Sequence, residues 1–221
     1  MRPRLVFPDA ETARDALTFA GRSVAVDAGA SVRLVAAGGT LSMTTAILAP
    51  RSLLDPVPTV LALRVLPVDP ELECDVTVSA SGVLATEDEG ALELPSSAVR
   101  EAWAGVSPPR SGWTRTGALA ASVLAARAQW GMAAVAHALP AAPGEDIVRS
   151  VRAEVWGHAD PELDDLVRGV AFAAVSMGFV RGEEDAAVFA CPGWLRISLR
   201  RGHVLVRTPA RSGLTAVRAT G

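Results

Sequence analysis

Val32, Leu34 and Ala36 alternate with Arg33 and Val35 as far as Gly38-Gly39, and Leu41, Met43 and Thr45 resume the alternation beyond it. A period of two broken by two glycines predicts a β-hairpin. Its register sets Ala36 opposite Leu41, Leu34 opposite Met43 and Val32 opposite Thr45, all on one face. Thr59 to Leu66 is apolar on both alternating sets apart from Arg64, the pattern of a central strand covered on two sides. Cys74, Val76, Val78 and Ala80 alternate with Asp75, Thr77 and Ser79, which predicts a strand with one wet face. Val24 and Val26, at alternate positions between Ser23 and Asp27, read as a further short strand. Upstream, Asp9 follows Pro8 and caps a helix to Gly21 on which Ala13, Ala16, Leu17 and Ala20 share a face.

The pattern changes after Ser107. From Gly117 the apolar residues fall at Leu119, Val123, Ala126, Trp130, Ala133 and then His137, the alternating steps of four and three of one helical face. The remaining faces are alanine-rich, which predicts a helix buried nearly all round, with His137 a hydrogen-bonded core residue. Arg127 in mid-segment costs about 2.5 to 3.5 kcal/mol in a bilayer, so no membrane span is assigned. Gly131 costs about 1 kcal/mol against alanine, so it sits where Trp130 or a crossing helix needs room. Glu145 to Trp156 reads as the next helix, and Asp160 with Pro161 opens another that runs to Gly178. Strands follow near Val188, at Trp194 to Leu199 and at His203 to Thr208. With Arg201-Gly202 as the turn, the last two form a hairpin pairing Leu199 with Val204, Ile197 with Val206 and Arg196 with Arg207.

The fold class expected is therefore α+β: a mostly antiparallel sheet with an N-terminal helix in residues 1–105, and in 106–221 a helical half built on the alanine-rich helix and closed by a β-hairpin. Ser96 or Ser97 caps a short helix to Trp103, and Gly105 to Gly112, with Pro108-Pro109, is the boundary between the two expected domains. Charge separates them as well. Residues 1–105 hold 8 arginines and 14 acids, net −6, and residues 106–221 hold 13 arginines and 10 acids, net +3.

Composition narrows the function classes only slightly. All 21 basic residues are arginine, alanine occurs 41 times and asparagine not at all, a bias of G+C-rich codons that weakens arginine content as a sign of nucleic-acid binding. Charged residues are 20% of the chain against about 25% in ordinary soluble domains, which points to surface covered by a partner. Leu5 to Phe7 is too short for a secretory leader, and the isolated Cys74 and Cys191 fit reduced thiols, so a cytoplasmic location is expected.

No lysine is available for a phosphate-binding Walker loop, and G-x-G-x-x-G, G-x-S-x-G, C-x-x-C and H-E-x-x-H are all absent. No catalytic residue and no cofactor is assigned. His158, Asp160, Glu162, Asp164 and Asp165 could ligate a hard cation, but Asp160 as a cap and the others as complements of the helix dipole explain them, so no metal is assigned. Arg110, Ser111, Thr114, Arg115 and Thr116 crowd the expected start of the alanine-rich helix, an anion-binding environment. Arg196, Arg200, His203 and Arg207 form a basic face on the expected hairpin, where facing arginines need a counter-charge. Glu71, Glu73 and Asp75 could supply it internally.

The reading that follows is a non-catalytic binding or protein-interaction module, a homo-oligomer or one covered by a protein partner. All five tryptophans fall within residues 103–194, and tryptophan is a favoured anchor at contacts. The alternative is a nucleic-acid-binding regulator, because three helices and a basic hairpin are the order of a winged helix. A phosphate- or small-anion-binding enzyme or sensor is the third reading.

Overall fold

A computed structural model describes residues 3–52 and 55–207. The elements in chain order are β1 (Arg4–Val6), α1 (Ala10–Val26), β2 (Ser31–Ala37), β3 (Thr40–Leu48), β4 (Thr59–Pro67), β5 (Cys74–Ser79), β6 (Leu84–Ala85), β7 (Ala91–Glu93), β8 (Thr114–Ala120), α2 (Ala121–Ala138), α3 (Glu145–Gly157), α4 (Gly169–Ser176), β9 (Asp185–Cys191), β10 (Trp194–Leu199) and β11 (Gly202–Arg207). Eight strands form one antiparallel sheet in the order β5-β2-β3-β4-β11-β10-β9-β8, and β1, β7 and β6 form a small second sheet. The fold is α+β. The large sheet runs through both halves of the chain, β4 pairing with β11 from Arg207↔Thr59 to His203↔Leu63.

The helices lie on one face of that sheet. Val32, Leu34, Leu41, Met43, Val60, Ala62, Ile197, Val204 and Val206 pack against α1 and α4 in a continuous core. The β2–β3 hairpin has the expected register, Ala36↔Leu41 and Leu34↔Met43, with Gly38 and Gly39 at φ +56° and +79°. Both turn positions need positive φ, which glycine adopts without steric cost. Asp9 caps α1 through a 2.7 Å hydrogen bond from the Thr12 N–H. The helix runs past Gly21 to Val26, so Val24 and Val26 are helical rather than a strand. Ser23 stays in register by donating to the Phe19 carbonyl at 2.9 Å.

Several expectations fail for local reasons. The alanine-rich helix begins at Ala121, because Thr114–Ala120 is an edge strand whose Leu119 points into the core. Its buried stripe is Ala121, Leu124, Ala128 and Gly131, whereas Ala126, Trp130, Ala133 and His137 face solvent. It is a surface helix, not one buried all round. A Cβ on Gly131 would overlap the ring of Trp156 in α3, so the crossing helix does explain that glycine.

The helix expected from Asp160 is split. Asp160 caps a single 3-10 turn, Pro161–Leu163, after which Asp164 and Asp165 adopt φ of 52° and 61° and end it. α4 starts only at Gly169. Likewise the short helix to Trp103 is a 3-10 turn, Ala102–Gly105, preceded by Glu101 and not by a serine cap.

The final hairpin is offset from its expected register. Leu199 pairs with Gly202, Ile197 with Val204, Arg196 with Leu205 and Trp194 with Arg207, so the turn is Arg200-Arg201. Gly202 belongs to the strand because a side chain there would collide with the ring of Phe179. The hairpin is also interior. β4 and β9 cover its two edges, which leaves no free wing of the winged-helix kind.

Candidate functional site

Two surfaces gather the chemically distinctive side chains. The first surrounds Trp130 on the outward face of α2, where the ring is 45% exposed beside an equally unusual Met132 at 40%. Arg127 and Arg168 bring their guanidinium carbons to 4.7 and 4.6 Å from the centre of that ring. Both arginines are in turn held by Asp160, whose side chain is only 2% exposed. The Arg127 Nε donates to Oδ2 at 2.8 Å and the Arg168 Nε at 3.0 Å. The Arg127 Nη2 donates to Oδ2 as well, and the Glu162 N–H donates to Oδ1 at 3.1 Å.

Burial raises the pKa of the Asp160 carboxyl. The bonds from Arg127, the Glu162 N–H and Arg168 outweigh that effect and hold it below the ordinary carboxylate value. One buried anion thus fixes two cations, and the two cations fix an exposed indole. Cation–π contacts are worth about 0.5 to 1 kcal/mol each at exposed sites, enough to keep the ring from sweeping freely. The sequence marked Asp160 as a helix cap and possible ligand and placed Trp130 in the core. The signal for the true arrangement lay in Arg127 and Trp130 being three residues apart on one helix.

The second surface is the face of the large sheet opposite the helices. Leu61, Leu205 and Trp194 form a small cluster there, and the segment linking the two halves crosses it with Trp103 and Trp113 packed against them. Polar contacts fasten that segment to the sheet. Ser31 donates to Glu101 at 2.8 Å, and Arg33 donates to the Ala104 carbonyl and the Ser107 hydroxyl at 2.7 and 2.8 Å. Asp75, considered as a counter-charge for the hairpin, pairs with Arg33 instead at 2.8 Å.

Arg196 lies on the same face with its guanidinium carbon 4.6 Å from the ring centres of both Trp113 and Phe189. Its Nε is buried without a hydrogen-bond partner, and no carboxylate among the described residues pairs with it. The expected meeting of Arg196 and Arg207 does not occur, because the two are not opposite each other. Aromatic rings, not a counter-charge, hold Arg196. The other members of the expected basic face are scattered: Arg200 sits at the turn, 91% exposed and 3.7 Å from Glu184, and Arg207 is exposed at the end of β11. His203 Nδ1 is 2.9 Å from the Ser198 hydroxyl. Burial, and then the positive charges of Arg196 and Arg64, lower the His203 pKa.

The expected anion group is also placed differently. Arg110 and Ser111 lie in the exposed loop before β8, and Thr114, Arg115 and Thr116 are on β8 itself, a strand's length before α2 begins. They do not sit at a helix N-terminus. Arg115 instead stands directly across from Phe189, which stands across from Arg196, so one row of the sheet reads Arg115, Phe189, Arg196 over three strands. Two residues assigned by sequence to separate sites thus share one aromatic neighbour. Of the acidic cluster, Asp160 is committed to its arginines, and Glu162, Asp164 and Asp165 are exposed. No group that could hold a metal ion occurs among the described residues.

Family models divide the chain in two. Residues 1–105 match one described as "Domain of unknown function (DUF8010)" and residues 108–211 one described as "Domain of unknown function (DUF8185)". None of the curated proteins compared matches the chain. Among solved structures it is similar to the DnaN sliding clamp (DNA polymerase III subunit beta) from Bartonella birtlesii bound to griselimycin. That match has 14% identity and a TM-score of 0.48, over 94% of this chain and 65% of that one. The DNA polymerase sliding clamp from Caulobacter crescentus is similar at 13% identity and TM-score 0.46, over 99% of this chain and 68% of that one. The clamp from Pseudomonas aeruginosa is similar at 13% identity and TM-score 0.42, over 93% of this chain and 63% of that one. The chain spans about two thirds of the length of these clamps. Likenesses of this size assign no activity to it. No helix among the described residues is long and apolar enough to cross a membrane.

Proposed function

We propose that this chain is a non-catalytic protein-interaction module that self-associates, most simply as a dimer, through the outward face of α2. The observation that carries the reading is Trp130, an indole 45% exposed yet held in place by Arg127 and Arg168. An exposed aromatic side chain contributes most to association when its orientation is already fixed, because it then loses little conformational entropy on binding. The rest of that face suits close contact with another protein. α2 carries no acid and a single arginine, and its exposed alanines allow a second backbone to approach. The free thiols of Cys74 and Cys191 agree with a reducing, cytoplasmic setting.

A nucleic-acid role has less support. The four helices together carry five arginines and five acids, so they offer no basic stripe to a phosphate backbone. Light scattering on a size-exclusion column at low micromolar concentration tests the proposal. The wild-type chain should have about twice the mass of 22.9 kDa, and Trp130→Ala should have the single-chain mass while keeping the wild-type circular dichroism spectrum. A wild-type chain at 22.9 kDa, or a Trp130→Ala variant that still pairs, overturns it.

A further inference from the structure

We propose that Arg196 and Arg115 form a phosphate-binding site for a small phosphorylated ligand on the sheet face opposite the helices. This is independent of self-association through α2. Arg196 is the anchor. Trp113 and Phe189 hold its guanidinium from both rings at 4.6 Å, which removes the rotamer freedom that an arginine ordinarily loses on binding. Its Nε has no acceptor, and no carboxylate pairs with it among the described residues. A planar cation so fixed and so unpaired is prepared for an anion.

Arg115 supplies the second fork. It stands in the same row as Phe189 and Arg196, one strand further out, and is exposed with no ion pair among the described residues. Two strand spacings, about 9.6 Å, separate the two backbones, well within reach of two extended arginine side chains that converge on one group. The strands around the two arginines carry little negative charge to compete: β8, β10 and β11 have no acid, and β9 has only Asp185 at its start. The sequence has no acid between Glu101 and Glu145 and none after Asp185.

The number of forks selects the ligand. A carboxylate has two oxygens and is satisfied by one guanidinium, whereas a phosphate monoester presents three free oxygens and can accept from both. Two arginines suffice for one phosphate group but not for the run of contacts that holds a nucleic-acid backbone, which favours a small molecule over a polymer.

Titration of inorganic phosphate and pyrophosphate into the full chain, followed by the NMR signals of the Trp113 indole N–H and the Arg196 Nε–H, tests this. Both signals should move saturably with pyrophosphate and not with chloride at matched ionic strength. Arg115→Ala, exposed and outside the core, should fold normally and bind about tenfold more weakly, because it loses hydrogen bonds to a charged group. Arg196→Lys keeps the charge and loses the fork, and should weaken binding at least as much. The proposal is overturned if neither signal moves, if chloride moves them equally, or if Arg115→Ala binds as well as wild type. A short thymidine oligonucleotide binding far more tightly than pyrophosphate, with steep salt dependence, would overturn the choice of a small ligand.

Discussion

The ring of Trp156 fills the space that a side chain on Gly131 would occupy, so the contact between α2 and α3 depends on a glycine inside a helix. Trp156 is 2% exposed and stacks on Phe172 at 4.4 Å between ring centres, so it has little room to yield. Gly131→Ala should therefore lower stability by about 1 to 3 kcal/mol through overpacking, although alanine is the better helix former by about 1 kcal/mol. Gly21, inside α1 with nothing within 4 Å of its would-be side chain, is the control. Gly21→Ala should raise stability by about 0.5 to 1 kcal/mol. Thermal melts of the two variants would show opposite signs.

The phase of α2 can be checked by substitution at two of its positions. Leu124 is fully buried against α4, whereas Trp130 is largely in solvent. Leu124→Ala should cost about 2 to 5 kcal/mol in denaturant unfolding, and Trp130→Ala about 1 kcal/mol or less. Equal costs would mean that the helix presents a different face to the core.

Asp160 gives a pH signature. Unfolded, its carboxyl titrates near the ordinary 3.8, and folded it titrates lower, after hydrogen bonds from Arg127, the Glu162 N–H and Arg168 have overcome the opposing effect of burial. The stability it provides is complete above the ordinary value and is lost as pH falls through the lower folded value. Asp160→Asn strands two arginines and should cost about 3 to 5 kcal/mol at neutral pH. The gap between the variant and wild type should be level from neutral to mildly acidic buffer and narrow below pH 3.8. A gap that widens in acid would contradict the assignment.

His203 titrates in a different window. Its pKa is lowered from the ordinary 6.5, first by burial and then by Arg196 and Arg64, so below that value the unfolded chain takes up a proton that the folded chain refuses. Stability should therefore drop as pH falls from 6.5 toward the lower folded value, and His203→Gln should remove that part of the drop. Urea midpoints of both proteins over this range check it. A bound phosphate at Arg196 would reduce the effect by offsetting the positive field.

The first hairpin was legible because two independent signals agree there, a strict period of two and a glycine pair at positions that need positive φ. The second hairpin offered the same kind of punctuation and misled. Gly202 is present for the Phe179 ring and not for a turn, and nothing local distinguishes those two reasons. The start of α2 was illegible because Ala120, its first flanking residue, has no side chain that can cap. With alanine on every side, shifting the helix by one residue changes its apparent pattern very little. That misplacement hid β8, and without β8 the row joining Arg115, Phe189 and Arg196 could not be assembled from sequence. Trp130 was misplaced by the same shift, since a lone tryptophan among alanines reads as core.

The pairing of β4 with β11 sets a timetable for biosynthesis. β11 is the strand that bridges β4 to β10, yet it spans residues 202–207 and leaves the ribosome after every other described strand. Until then β4 keeps an open edge some 140 residues from its partner in sequence, a separation that slows pairing and leaves the nascent sheet exposed to wrong neighbours. The eight-stranded sheet therefore closes in one late step, from its middle. A ribosome stalled before Gly202 would carry a nascent chain with two strand sets waiting to be joined, the state in which a chaperone would be needed most.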